Sequence, residues 1–158
     1  MDKNKLIQQG EEAKFLVNIN NFDMHTDRFF IELMYSYRNT TIKLTKEDME
    51  ETAEGWIMTF STDNIVGRVT ARCTWDVGDL DCKELYRTKV DEQILCFVVP
   101  VPCPQFIACG NCGEEEHQVT YTRTDQSDIG GKYDRLVDVN QVPITTADNE
   151  YIYVLHEN

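Results

Sequence analysis

The sequence predicts an all-β protein folded as an antiparallel β-sandwich, and three observations carry that expectation. First, residues 68–77 alternate strictly: Val69, Ala71, Cys73, Trp75 and Val77 are apolar, while Arg68, Thr70, Arg72, Thr74 and Asp76 are polar. A period of two over that length fits a strand with one buried and one wet face; on a helix these apolar residues would scatter round the circumference. Second, turn chemistry recurs about every 8–12 residues and separates about seven strands in roughly the first 100 residues, the spacing of a sandwich. Third, successive strands lie close together in sequence, which favours hairpins and meanders over crossovers.

Taken in order, residues 1–11 are polar and are expected to fray. Residues 13–20 place Phe15, Val17 and Ile19 on one face, a first strand, and Asn20-Asn21-Phe22-Asp23 is turn chemistry. Residues 28–38 form a long second strand, with Phe29, Ile31, Leu33, Tyr35 and Tyr37 opposed to Phe30, Glu32, Met34 and Ser36. Asn39 marks a turn, and residues 40–44 return. Thr45 can cap a helical turn, with Asp48 three residues on and acids crowding the first turn; Gly55 is expected to end it. Residues 56–61 alternate again, with Trp56, Met58 and Phe60 on one side. Asp63-Asn64 and Gly67 break the chain before the central strand, where Trp75 supplies the largest apolar side chain of the buried face. An acidic loop is expected over 76–83 and a short strand over 85–87. In residues 92–100, Ile94, Cys96 and Val98 face one way and Leu95, Phe97 and Val99 the other. Apolarity on both sides predicts burial on both faces, with a partner chain as a candidate cover.

Val101-Pro102-Cys103-Pro104 marks a boundary, because its prolines remove ladder donors. It divides a sandwich domain, residues 1–105, from an acidic segment, residues 106–158. Short strands are expected there at 118–123, 136–139 and 150–155, with a turn at Asp148-Asn149. The segment is thin in apolar residues and needs the first domain or another chain to bury its surface.

The chain has 158 residues, 41% of them apolar and 10% aromatic, which sustains one packed domain with at most a small addition. A formal net charge of -13 argues against binding through nucleic-acid phosphates and against anionic membrane surfaces. No apolar core of a secretion signal follows Met1-Asp2-Lys3-Asn4-Lys5, and the longest apolar run, 97–102, is too short to span a bilayer. The chain is therefore expected to be made in a cytoplasm, where its six cysteines are free thiols or metal ligands rather than disulfides.

The sharpest constellation is Cys103, Cys109, Cys112 and His117, spaced C-x5-C-x2-C-x4-H, with Gly110 and Gly113 around the close pair. Three thiolates and an imidazole suit tetrahedral zinc, and glycines let a short knuckle fold round the ion. The order is not a common finger pattern and no second CxxC pairs with it, so an acidic loop carrying reduced thiols is the competing reading. A redox CxxC is disfavoured, since no helix pattern starts at Cys109 to lower its pKa. Cys73 and Cys96 fall on inward strand faces and read as small core residues; Cys82 sits in a loop without a role. The three histidines, His25, His117 and His156, join no Gly-x-Ser-x-Gly elbow, Walker loop or HExxH motif. Asp76, Asp79 and Asp81 start like a calcium loop but lack its twelfth-position glutamate, and Asp134, Asp138 and Asp148 are spread over turns. No catalytic residue is assigned, and the protein is not read as an enzyme.

Asp27-Arg28-Phe29-Phe30-Ile31-Glu32-Leu33, then Thr41-Ile42-Lys43-Leu44-Thr45-Lys46-Glu47-Asp48-Met49, Gly55-Trp56-Ile57-Met58-Thr59-Phe60-Ser61-Thr62 and Gly67-Arg68-Val69-Thr70-Ala71 follow one another in an order that resembles a known family. It is the N-terminal β-sandwich of phage baseplate upper proteins and related appendage adaptors, and the resemblance covers about two-thirds of the chain. The family's "iPD" segment is absent; Trp75-Asp76-Val77-Gly78-Asp79-Leu80 stands in its place. The tail, from Tyr133-Asp134-Arg135-Leu136 through Asp148-Asn149-Glu150-Tyr151-Ile152, resembles segments of virion appendage proteins of gut Bacteroidetes phages, including crAss-like phages.

The resemblance implies a non-enzymatic structural protein of a bacteriophage particle, an appendage or adaptor in a head fibre, collar or tail. It implies an immunoglobulin-like sandwich with a C-terminal docking or oligomerisation segment. The partners implied are other virion proteins (capsid, portal or collar, tail) and further copies of the chain; the net charge of -13 argues against nucleic acid and membrane as partners. The location implied is the virion, after synthesis in the host cytoplasm, and no cofactor is expected. The alternative is a small zinc-binding partner-recognition protein using Cys103, Cys109, Cys112 and His117.

Overall fold

Alternating apolar residues force strands to be buried on one side, and in this chain the buried sides meet in three sheets. The structure, a computed structural model, describes residues 5–20, 28–35, 40–78, 86–100, 103–109, 116–124, 132–148 and 150–155. The strands are β1 (Leu6–Gln8), β2 (Glu12–Ile19), β3 (Phe29–Tyr35), β4 (Thr40–Thr45), β5 (Glu50–Glu51), β6 (Trp56–Ser61), β7 (Gly67–Gly78), β8 (Tyr86–Val99), β9 (Gln105–Cys109), β10 (Val119–Arg123), β11 (Tyr133–Arg135) and β12 (Glu150–Leu155). The first sheet runs β1-β8-β7-β3-β4, the second β10-β2-β6-β5 and the third β11-β12-β9. The first two pack face to face as the all-β sandwich that the alternation predicts.

The central strand is the one the sequence singles out. Val69, Ala71, Cys73 and Trp75 of β7 are buried, and Phe29, Ile31 and Leu33 stand opposite on β3. Across the gap, β2 contributes Ala13, Phe15, Val17 and Ile19, and β6 contributes Trp56, Met58 and Phe60. Phe15 stacks on Phe60 at 6.2 Å and Phe29 meets Trp56 edge-on at 6.0 Å, offset and T-shaped arrangements that aromatic quadrupoles favour. Thr45 and Asp48 form the expected cap: the Asp48 carboxylate accepts from the Thr45 N–H and hydroxyl at 3.0 and 3.2 Å. The helical turn is the single turn expected, Lys46–Asp48, before β5 begins. Gly55 serves another purpose: its φ is +155°, and a Cβ there would run into the Val17 carbonyl oxygen.

β8 departs from simple alternation, and the departure organises the rest. Val69 pairs with Cys96 but Thr70 pairs with Ile94, so Leu95 is an extra residue, a β-bulge. Above the bulge, Cys96 and Val98 point into the sandwich; below it, Gln93 and Asp91 take the inward positions. Leu95 itself is fully buried in the same core. On the opposite face, Val99 is buried and Phe97 half-buried in a second cluster with Leu6, Phe106, Ala108, Tyr133 and Tyr153. The two-sided apolarity of 92–100 is thus answered within the chain: the third sheet covers the outward face.

Of the N-terminal stretch expected to fray, residues 5–11 are described, and they are held in place. Leu6 and Ile7 pair in parallel with Phe97 and Val98, the one parallel ladder among the described strands. Ile7 enters the sandwich core and Leu6 the second cluster, so two adjacent side chains bury on opposite faces. Arg123, its side chain 8% exposed, donates from Nη1 to the Leu6 carbonyl at 2.9 Å. The turn into β2 is held by Thr62, the buried polar residue of the core: its hydroxyl donates to the Glu11 carbonyl at 2.6 Å and accepts from the Gly10 N–H at 3.0 Å.

Residues beyond Pro104 divide between two places. β10 joins the sandwich, pairing Val119–Arg123 with Phe15–Ile19. β9, β11 and β12 make the third sheet, where Phe106 stacks on Phe97 (5.4 Å) and Tyr153 (5.2 Å) and meets Tyr133 edge-on (4.8 Å). The strand expected at 136–139 lies earlier, at Tyr133–Arg135; residues 136–144 instead fold back through the Val137–Pro143 bridge, with the Asp138 carboxylate accepting from the Asn140 and Val142 N–H groups.

Two substitutions test this packing. Trp75→Ala lowers stability by about 3–5 kcal/mol, since it empties a fully enclosed indole site. Thr62→Val, nearly isosteric, costs about 1–3 kcal/mol by stranding the Gly10 N–H and Glu11 carbonyl. Both are read from the urea midpoint at unchanged slope; a parental midpoint for either variant contradicts the corresponding contact.

Candidate functional site

Below the bulge, inward polar residues on β8 need partners, and β10 supplies them. Gln93 Nε2 donates to the Val119 carbonyl and to Asp91 Oδ2, both at 2.8 Å. Asp91 Oδ1 lies 2.7 Å from His117 Nδ1, with the two side chains 11% and 17% exposed. Cys73 pairs with Asp91 across β7 and β8 and is fully buried. Burial pushes the Cys73 thiol up to about 12, with the Asp91 charge adding to it. Burial likewise raises the Tyr121 phenol well above its usual value, with Cys73 and Asp91 contributing. A thiol, an imidazole and a carboxylate therefore share this edge, but a thiol that keeps its proton at neutral pH is not an activated nucleophile. What the group does is close the sandwich with hydrogen bonds where apolar contact gives out.

The zinc candidates divide between this edge and the second cluster. Cys103 lies against the second cluster; its Sγ donates to the Gln105 carbonyl at 3.4 Å, and its own carbonyl accepts from the Tyr133 hydroxyl at 2.8 Å. His117 is engaged with Asp91. Cys109 ends β9, its side chain outside what is described, and Cys112 lies outside the described residues, as do His25, Asp79, Asp81, Cys82 and His156. Among the described residues no three metal-ligating side chains come together. Cys73 and Cys96 are buried free thiols, the core role read from the sequence.

The feature that sequence reasoning missed lies on the outer face of the third sheet. Its inner face is spent on Phe106, Tyr133 and Tyr153. On the other face Ile107 pairs with Ile152, the Leu136 N–H donates to the Ile152 carbonyl, and the Ile144 N–H donates to the Leu136 carbonyl. Ile144, Leu136, Ile152 and Ile107 thus form one aliphatic row across adjacent chain segments. Ile107 is 43% exposed, Ile144 39% and Leu136 37%; Val142 and Val139 continue the apolar surface at the turn. Elsewhere among the described residues only Val66 and Val90 are large exposed apolar side chains. The row is assembled from separated stretches of an acid-rich segment, so no local period announces it; the excess of aliphatics in its loop residues 136–144 is the signal available.

Comparison with known protein families, with curated proteins and with solved structures finds no match.

The buried thiols set a pH dependence. Cys73 and Cys96 rise from an ordinary value of 9.0 to about 12, chiefly by burial. Between those values the unfolded chain has lost thiol protons that the native chain keeps, so stability falls as pH rises. Urea midpoints are therefore level near neutral pH and decline from about pH 9 upward, and Cys96→Ala makes that decline shallower. An identical alkaline slope in Cys96→Ala contradicts the assignment.

Proposed function

We propose that this protein is a structural component of a bacteriophage particle, an appendage or adaptor of head fibre, collar or tail. It attaches to other virion proteins and self-associates through the outer face of the third sheet. The observation that carries the reading is the aliphatic row Ile144–Leu136–Ile152–Ile107, concentrated on one surface of an otherwise highly charged chain. Contiguous exposed apolar surface on a well-packed domain marks an interaction site. A stable contact buries about 1,600 Å² in total, so the row would form the centre of a larger footprint with a polar rim. The sequence resemblance to appendage adaptors supports the same assignment.

The charge gives this contact a signature. Copies carrying -13 each repel one another, and salt screens that repulsion without weakening apolar contact. Self-association therefore strengthens as ionic strength rises from about 10 to 150 mM, where the Debye length shrinks from about 30 to 8 Å. In sedimentation velocity the parent chain forms a discrete oligomer as concentration rises, Ile107→Lys stays monomeric with an unchanged thermal unfolding midpoint, and Ile107→Lys is depleted from purified particles. A parent chain that is monomeric at every concentration and salt, with Ile107→Lys entering particles normally, overturns the reading.

A further inference from the structure

A second surface, where basic side chains gather round an aromatic floor, lies on the outer face of the first sheet. Phe30 pairs with Thr45 on one side and Thr74 on the other, so the three make a cross-strand row that floors an open cavity of about 480 Å³. That volume is in the range of small-molecule sites. Its walls bring together Arg28, Lys43 and Lys46. The Lys43 ammonium sits 4.3 Å above the Phe30 ring, and the Lys46 ammonium 5.4 and 5.6 Å from the Phe29 and Trp56 rings. The Phe30 ring lies under Lys43 on the outer face, whereas Lys46 lies by the core rings Phe29 and Trp56; neither contact uses up an N–H donor on an oxygen.

In a chain with 28 acids and 15 bases, basic residues have carboxylates in excess to pair with. Among the described residues, none stands at ion-pair distance from these three cations, whereas Arg123 and His117 elsewhere do have such partners. The acids on the cavity wall are placed otherwise. Asp76 accepts from the Thr88 hydroxyl at 3.0 Å, and Glu47 lies exposed beside Lys46. A multiply charged anion would meet Asp76 and Glu47 as well as the cations. A single carboxylate that also carries hydrogen-bond donors would satisfy both signs, with an apolar face left for Phe30.

We infer that this cavity binds a small monocarboxylate bearing hydroxyl or ammonium groups. Its carboxylate is held by Lys43 and Lys46 and its donors by Asp76. Sugar acids and amino acids share that chemistry, and the experiment separates them. The full chain, labelled with nitrogen-15, is titrated with D-glucuronate, L-leucine, D-glucose or inorganic phosphate while its amide resonances are followed. The inference expects saturable shifts at Phe30, Thr45 and Thr74 with glucuronate or leucine, the tighter of the two naming the source, and none with glucose. Lys43→Gln with Lys46→Gln weakens that binding at least about tenfold, as loss of two charge-assisted contacts requires, and Lys43→Arg with Lys46→Arg retains it. Far-ultraviolet circular dichroism checks that both double variants are folded. The inference is overturned if neither carboxylate saturates, if phosphate binds as tightly as the better carboxylate, or if the folded Gln variant binds like the parent.

Discussion

The structure depends on one length of strand, Leu95 to Val99, serving as a wall between two cores. An isolated sandwich edge has one dry face and one wet face, and its residues alternate accordingly. Here the Leu95 bulge lets β8 send Leu95, Cys96 and Val98 into the sandwich, while Phe97 and Val99 point out against the third sheet. β1 repeats the device beside it, with Ile7 in one core and Leu6 in the other. The same bulge turns the lower part of the strand so that Asp91 and Gln93 face inward, and the polar closure with His117 and Val119 follows from that turn.

A shared wall explains why an acidic, aliphatic-poor segment folds at all. The third sheet has too few apolar residues to enclose a core between two faces of its own. It needs one good face, and Phe106, stacked on Phe97 and Tyr153 and met edge-on by Tyr133, provides it. Among the described residues, the second face of this sheet leaves Ile107, Leu136 and Ile144 exposed. That face carries an aliphatic row flanked by Asp134 and Glu150, an apolar strip in an acidic segment that fits an assembly role. The cation-lined cavity lies on a different sheet, so one chain offers two surfaces of opposite character.

The sandwich was legible in the sequence wherever one face was wet. Val69 to Trp75, Phe15 to Ile19 and Trp56 to Phe60 alternate, and each was placed on its correct face. Reading faltered where a residue's burial came from a distant part of the chain. Leu6 and Ile7 look like isolated apolar residues in a polar leader; only the parallel ladder to Phe97 and Val98 makes them core. Leu95 looks like part of an ordinary alternation, because a bulge is a property of the pair of strands and not of one. The Cys103 and His117 spacing could be read, but the bond from His117 to Asp91, across two sheets, could not. The outer row of the third sheet was equally hidden, since Ile107 and Ile152 become neighbours only through register.

The account rests on the chain itself covering both faces of β8, with the third sheet ordered before any partner arrives. Hydrogen–deuterium exchange at high dilution, where copies do not meet, tests this directly. The account predicts that amides of β9 and β12 are protected to a degree comparable with the upper half of β8, because their burial is mutual. Rapid exchange throughout β9 and β12 under conditions where β7 and β8 remain protected would contradict it, and would mean that the third sheet owes its order to another chain.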